Sequence, residues 1–336
     1  MTTTVPASTA AAEAAAPATA EPGLSPAQRR SKALRRFALS ITVLNIVGLA
    51  WLGFEQAFIT PFVAVGVAYA VELLLETADA AAHGRRPRYL AGSFGEVLDF
   101  MLPAHITGLA CSMLLYANDR LWPVAFAAAV GIGSKYVVRA RVRGKSQHVL
   151  NPSNTGIVAA LLLFPWVGIA PPYQFTEYPP GIVRWIIPLV VLVAGTMLNA
   201  KLTGKMPLLY GWIAGFVLQA LIRSAVTDVW LAGALLPMTG VAFILYTNYM
   251  ISDPGTTPFP PRRQFAFGLG IAAAYGVLMV FHVSFGFFFA LGIVCLVRWL
   301  ALVSLPVTRP LWDRLRTRTA TGPARAAAGA TSKEAS

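Results

Sequence analysis

Charge is scarce in this sequence. Only 12% of its 336 residues are Asp, Glu, Lys or Arg, roughly half the share of a soluble domain, while 56% are hydrophobic. Acidic residues are the scarcest part, 14 against 27 Lys and Arg. Cysteine is nearly missing: Cys111 and Cys295 both lie within apolar runs. Two such thiols exclude a disulfide framework and a CxxC metal pair, so each reads as a small buried hydrophobe. The sequence also has no nucleotide-binding glycine motif, no metal-ligand cluster and no nucleophile–base–acid set. A self-contained enzyme is therefore not expected; a subunit is.

What the chain does have is long apolar runs. Their lengths predict ten spans, at about 37–54, 57–76, 97–117, 121–138, 154–170, 183–200, 206–223, 230–250, 264–282 and 284–304. The fold class expected is all-α, a polytopic transmembrane helical bundle. Residues 1–36 read as a disordered basic N-terminal tail, 37–304 as the membrane domain, and 305–336 as a basic, largely disordered C-terminal tail. With the N-terminus inside, every Lys and Arg except Arg120, Arg184 and Arg223 falls on the inner side. That bias predicts a bacterial cytoplasmic membrane protein with both termini cytoplasmic. It also assigns the net charge of +13 to the bilayer surface, so the lipid bilayer is the expected partner and nucleic acid is not.

Two stretches are alike. Leu102-Pro-Ala-His-Ile-Thr-Gly-Leu-Ala110 in the third span matches Leu236-Pro-Met-Thr-Gly-Val-Ala242 in the eighth across a two-residue gap. Third matched to eighth predicts two inverted five-helix repeats, with a site near the midplane between them.

Ionisable groups inside spans are costly and each needs a reason. Glu72 and Glu76 stand one turn apart, able to share a proton or receive a cation; pairing with Arg85, Arg86 or Lys135 is the alternative. Asp99 and His105 flank Pro103 in the third span, His105 being either a relay or cofactor contact or a satisfied buried histidine. Asn199 and Asn248 are expected to bond neighbouring helices. Two polar patches stand out. In Gly144-Lys-Ser-Gln-His-Val-Leu-Asn-Pro-Ser-Asn-Thr-Gly156, Pro152 precedes a helix that Ser153 or Asn154 would cap, and the helix N-terminus favours an anion or a polar ring. In Met250-Ile-Ser-Asp-Pro-Gly-Thr-Thr-Pro258, Asp253-Pro-Gly is turn chemistry. Both patches fall inside, either as walls of one site or as two unrelated turns.

His148-Val-Leu-Asn-Pro-Ser-Asn-Thr-Gly156 followed by Ser252-Asp-Pro-Gly-Thr-Thr-Pro258 resembles the NqrB/RnfD family of membrane redox-complex subunits, over about residues 37–304. The resemblance implies ten helices in two inverted halves and a flavin held in the membrane for electron transfer with redox partner subunits. His148, Asn151, Pro152, Asn154, Thr155, Asp253, Thr256 and Thr257 become the candidate flavin contacts. Family members attach FMN through a threonine in an S-G-A-T type motif on the external loop after the fifth span. Here that loop holds one threonine, Thr176, without that context. Covalent FMN is thus not expected, and non-covalent FMN or riboflavin is. The short loop and Ala/Pro-rich tails look most like the UnbU-type membrane proteins of enediyne natural-product clusters, which implies pathway enzymes as further partners. Beside electron transfer stand two other readings. One is a transporter or channel for a small polar solute, proton or pathway product, coupled through Glu72, Glu76, Asp99 and His105. The other is a membrane anchor for pathway enzymes.

Overall fold

The computed structural model describes residues 25–142 and 144–320. Helix α1 (Pro26–Ala50) starts at a capping box, in which Ser25 accepts from the Gln28 amide and Gln28 bonds back to Ser25. Residues 26–36 are therefore helical and extend the first span, where the sequence predicts a tail. The box Ser25-Pro-Ala-Gln28 carries that signal. The chain continues through α2 (Thr60–Ala82), a short turn α3 (Arg88–Ala91), α4 (Phe94–Leu114), β1 (Leu115–Tyr116) and α5 (Trp122–Val137). A hairpin of β2 (Arg139–Val142) and β3 (Lys145–His148) leads into α6 (Pro152–Leu163), and β4 (Gly168–Ile169) pairs back with β1.

The second part holds α7 (Val183–Leu198) with a π-helical end (Asn199–Thr203), α8 (Met206–Val226), α9 (Leu231–Leu235), a 3₁₀ turn (Leu236–Thr239) and α10 (Val241–Leu245). A second π segment (Tyr246–Met250), α11 (Pro261–Val280) and α12 (Gly286–Ala320) complete it. The sequence expectations for residues 1–24 and 321–336 lie outside the described residues.

The chain is a multi-pass helical membrane protein. Among the described residues seven helices are long and apolar enough to cross a bilayer, and an eighth crossing forms if Leu231–Thr239 and Val241–Met250 are one bent span. The break in that span falls at Leu236-Pro-Met-Thr-Gly240, where the chain turns by 68°. Its matched stretch in α4 stays helical through Pro103, so the two similar sequences differ in local form. The helices at the predicted spans 121–138 and 154–170, α5 and α6, have only 16 and 12 residues. At 1.5 Å per residue these reach about 24 and 18 Å, short of a hydrocarbon core of roughly 30 Å.

Glycine sets how closely helices approach. A Cβ on Gly156 in α6 would lie 2.0 Å from Ala127 O in α5, and one on Gly131 would lie 2.6 Å from Pro152 O. Along α8 and α11, a Cβ on Gly211 would lie 2.2 Å from Phe265 O, and one on Gly268 2.2 Å from Leu208 O. These are backbone contacts that no side-chain shift relieves. Such close seams let backbones pack where lipid supplies no hydrophobic drive between helices. Gly156→Ala should therefore cost about 1–3 kcal/mol and lower the unfolding midpoint in detergent. Gly133→Ala, with nothing within 4 Å, should leave it unchanged or slightly raised.

Candidate functional site

The two polar patches meet. Asn151 caps α6, its side-chain oxygen accepting the Asn154 amide at 2.9 Å, one residue before the Pro152 that starts the helix. The cap thus precedes Ser153 and Asn154, the two residues that sequence reasoning proposed, because Pro152 has no N–H to satisfy and fits the first helical position. Asn151 Nδ2 then donates to Met250 O at 3.0 Å, across 99 residues of chain. Asn154 Nδ2 donates to Phe288 O at 3.0 Å, tying α6 to α12. His148 packs against the second patch so closely that a Cβ on Gly255 would fall 2.4 Å from its Nε2. Burial holds the His148 imidazole below its ordinary pKa, and the Asp253 charge partly opposes this.

The second patch is internally tied. Thr257 Oγ1 and Thr256 Oγ1 donate to Asp253 O at 2.7 and 3.3 Å, and Gly255 N donates to Asp253 Oδ1 at 3.2 Å. Arg298 of α12 donates to Thr256 O at 2.6 Å. Thr155 Oγ1 bonds the Asn151 carbonyl at 2.7 Å in its own first turn. Nearby, Lys205 is buried, with Nζ 3.0 Å from Pro258 O. Burial pulls its pKa from 10.5 to about 8, Asp253 opposing that fall and Arg298 adding to it. In these two patches two buried oxygens remain without a partner among the described residues, Asp253 Oδ2 and Asn154 Oδ1. Because their other hydrogen-bonding groups are used, these residues form a joint between chain segments rather than open walls.

The membrane carboxylates are likewise committed. Glu72 takes Lys135 Nζ at 2.5 Å and the Tyr136 hydroxyl at 2.9 Å. Glu76 takes Arg85 Nη1 at 2.5 Å and the Arg88 amide at 3.0 Å. Asp99 is held by Ser31 and by Arg35 Nε at 2.7 Å. His105 has a hydroxyl at each ring nitrogen, Thr42 at 2.8 Å and Tyr69 at 2.9 Å. The structure thus does not bring these four together as one group.

Sequence reasoning missed the void. A cavity of about 440 Å³ lies beyond the joint, bounded by α1, α4, the segment Ile169–Phe175, α9–α10, α11 and the start of α12. Of the first patch only Ser153 reaches it, and of the second only Met250. Its walls are aromatic: Phe243, Tyr246, Tyr275 and Phe287 form one cluster, with Tyr246 stacked on Phe287 at 5.0 Å and Tyr275 tilted against Phe287 at 4.7 Å. Trp212 stands behind Phe243 and Tyr246, its indole N–H donating to Thr247 at 2.9 Å. The π segment Tyr246–Met250 turns Tyr246, Tyr249 and Met250 onto the cavity. Asn199 Nδ2 donates to Asn248 O at 2.8 Å and so braces that segment from α7. Such π insertions recur at functional sites. Aromatic residues spread over α8, α10, α11 and α12 gave no local signal of this cluster.

Compared with family models and with curated proteins, the chain matches none.

Two outcomes follow from this electrostatics. Glu72→Gln leaves the Lys135 ammonium buried without its counter-charge and should cost about 3–5 kcal/mol, whereas Glu72→Gln with Lys135→Met should recover most of it. Thermal unfolding of both variants in detergent measures this. Lys205 binds fewer protons folded than unfolded between about pH 8 and 10.5, so its contribution raises stability as pH climbs through that window. The difference in unfolding midpoint between unaltered protein and Lys205→Met should change across pH 8–10.5 and stay flat below it.

Proposed function

We propose that this chain is an integral membrane subunit that holds a flat, largely apolar redox cofactor between its two halves, a non-covalent flavin passing electrons to and from partner proteins. The observation that carries the reading is the aromatic-walled cavity of about 440 Å³, a size at which small-molecule sites usually fall. Ring stacking on Tyr246, Phe287 and Phe243 suits a planar tricycle. Among the described residues no Lys or Arg lines the cavity, so neutral riboflavin fits better than FMN, whose phosphate would lack a cation. When bound, a flavin supplies one- or two-electron chemistry; the chain's own residues shield it from water and fix its plane. The joint at Asn151, Met250 and Gly255 keeps the walls at a fixed separation.

This reading places residues 37–304 in a bacterial cytoplasmic membrane with the basic ends inside. The short α5 and α6 would complete ten crossings in two inverted halves. The likeness to the UnbU-type proteins supports service in an enediyne pathway, with soluble redox proteins or pathway enzymes docking at the basic face. The polar patches His148–Thr155 and Asp253–Thr257 then hold the floor of the site rather than touching the ring.

The 68° break at Leu236–Gly240 favours one second reading, since discontinuous spans are a feature of membrane carriers. The apolar walls then point to an apolar pathway product as cargo. With every membrane carboxylate paired, a proton or a small polar solute fits less well.

An absorption spectrum of detergent-purified protein separates the two. The expected result is a flavin spectrum, native or after adding riboflavin, whose chromophore acid releases. Ala242→Trp, which fills the cavity, should abolish retention. Colourless protein that takes up neither riboflavin nor FMN, but carries an apolar solute across proteoliposomes, would establish the carrier instead.

A further inference from the structure

Tyr275 and Gln174 are cavity-wall residues whose side-chain polar groups are spare, and of the two Tyr275 is the buried one. It is only 6% exposed, and its ring is fixed by Phe216, Phe287 and Trp212 at 5.3, 4.7 and 6.4 Å. Two other tyrosines that reach the cavity have spent their hydroxyls: Tyr246 on Phe287 O at 2.6 Å and Tyr173 on Thr239 at 3.3 Å. Among the described residues the Tyr275 hydroxyl has no hydrogen-bond partner. It is also not sealed within protein, and Tyr275 is part of the cavity wall. A buried tyrosine normally finds an acceptor for its O–H, because leaving it unmade costs free energy.

Ser153, in the first turn of α6, also lines the cavity. Its hydroxyl donates to Asn151 Oδ1 at 2.9 Å, which leaves the Ser153 oxygen able to accept. The Tyr275 hydroxyl as a spare donor and the Ser153 oxygen as a spare acceptor thus both border this largely apolar cavity.

We propose that Tyr275 is the hydrogen-bond donor that selects and orients the occupant of this cavity, a flat, mostly apolar molecule with a carbonyl or ring-nitrogen acceptor at its edge. Ser153 takes an N–H or O–H of the same molecule where it has one. The inference rests on the reading of the cavity as a binding site. It adds that recognition is by an edge acceptor and not by shape alone. Oxidised flavins have such acceptors and a ring N–H; a polycyclic hydrocarbon has neither. Small polar contacts of this kind set specificity in apolar pockets far more sharply than an added methylene does.

Equilibrium titration of the full chain in detergent tests this with two probes, riboflavin and pyrene, a flat hydrocarbon with no acceptor. Ala242→Trp supplies the background for pyrene dissolved in detergent. Tyr275→Phe should raise the riboflavin Kd about five- to tenfold while leaving pyrene binding and the unfolding midpoint unchanged. An unchanged riboflavin Kd overturns the proposal, as does an equal loss of both probes, which would mean that the substitution disturbs the wall. Pyrene binding without riboflavin binding in unaltered protein overturns it too. Binding of neither probe overturns the cavity reading itself, and this proposal with it.

Discussion

Two asparagines hold the core of this molecule together. Asn151 caps α6 with its oxygen and reaches the end of the broken span with its nitrogen, at Met250 O. Asn154, one turn on, reaches Phe288 O at the start of α12. Within a bilayer an unmade backbone hydrogen bond costs several kcal/mol, so a non-helical segment persists only where protein satisfies it. The break in the span and the π turn after it have partners: Asn151 and Asn199 serve the carbonyls at Met250 and Asn248. Take away the amide of Asn151, and the turn 250–257 loses its tie to α6. The joint is the reason that a chain with two irregular segments at membrane depth can enclose an ordered cavity.

Around this joint the glycine seams decide spacing. α5 and α6 touch backbone to backbone at Gly131 and Gly156, as α8 and α11 do at Gly211 and Gly268. Close seams on both sides leave the volume between them to bulky side chains, and these are aromatic. Phe216, Phe243, Tyr246, Tyr275 and Phe287 hold one another at ring separations of 4.7 to 6.2 Å. Rings so braced have little rotamer freedom left to lose when a flat molecule enters, which lowers the cost of binding. The charged groups stay apart from this space. Glu72, Glu76 and Asp99 are each matched by a cation that has the reach to meet them.

Much of this architecture was legible in the sequence because membranes enforce it residue by residue. Seven apolar runs appear as spanning helices. The patches at 148–155 and 252–257 stood out because polar turn residues have no place in lipid unless something holds them. Asn199 and Asn248 bond each other's segments across helices, as asparagine in lipid usually does. Other features had no such local signature. The hairpin Arg139–His148 and the 68° turn depend on what packs against them, and the expectation of a continuous span at 230–250 overlooked Pro237 followed by Gly240. The helical start at Pro26 was overlooked although its capping box is written in Ser25 and Gln28. The cavity was the least legible of all. Its walls come from α1, α4, Ser153 of α6 and residues 169–288, and a void is a property of what is missing between them. Sequence pattern therefore pointed to the polar floor, and only the packed chain shows the apolar room above it.

The account stands or falls on whether that room receives a planar molecule. A cryo-electron microscopy map of the full chain in lipid nanodiscs with riboflavin tests this most directly. The account predicts density for a flat tricycle among Phe243, Tyr246, Tyr275 and Phe287, at van der Waals contact of about 4 Å. A map of equal quality that shows a lipid chain or collapsed side chains there, with the flavin elsewhere or absent, would contradict it.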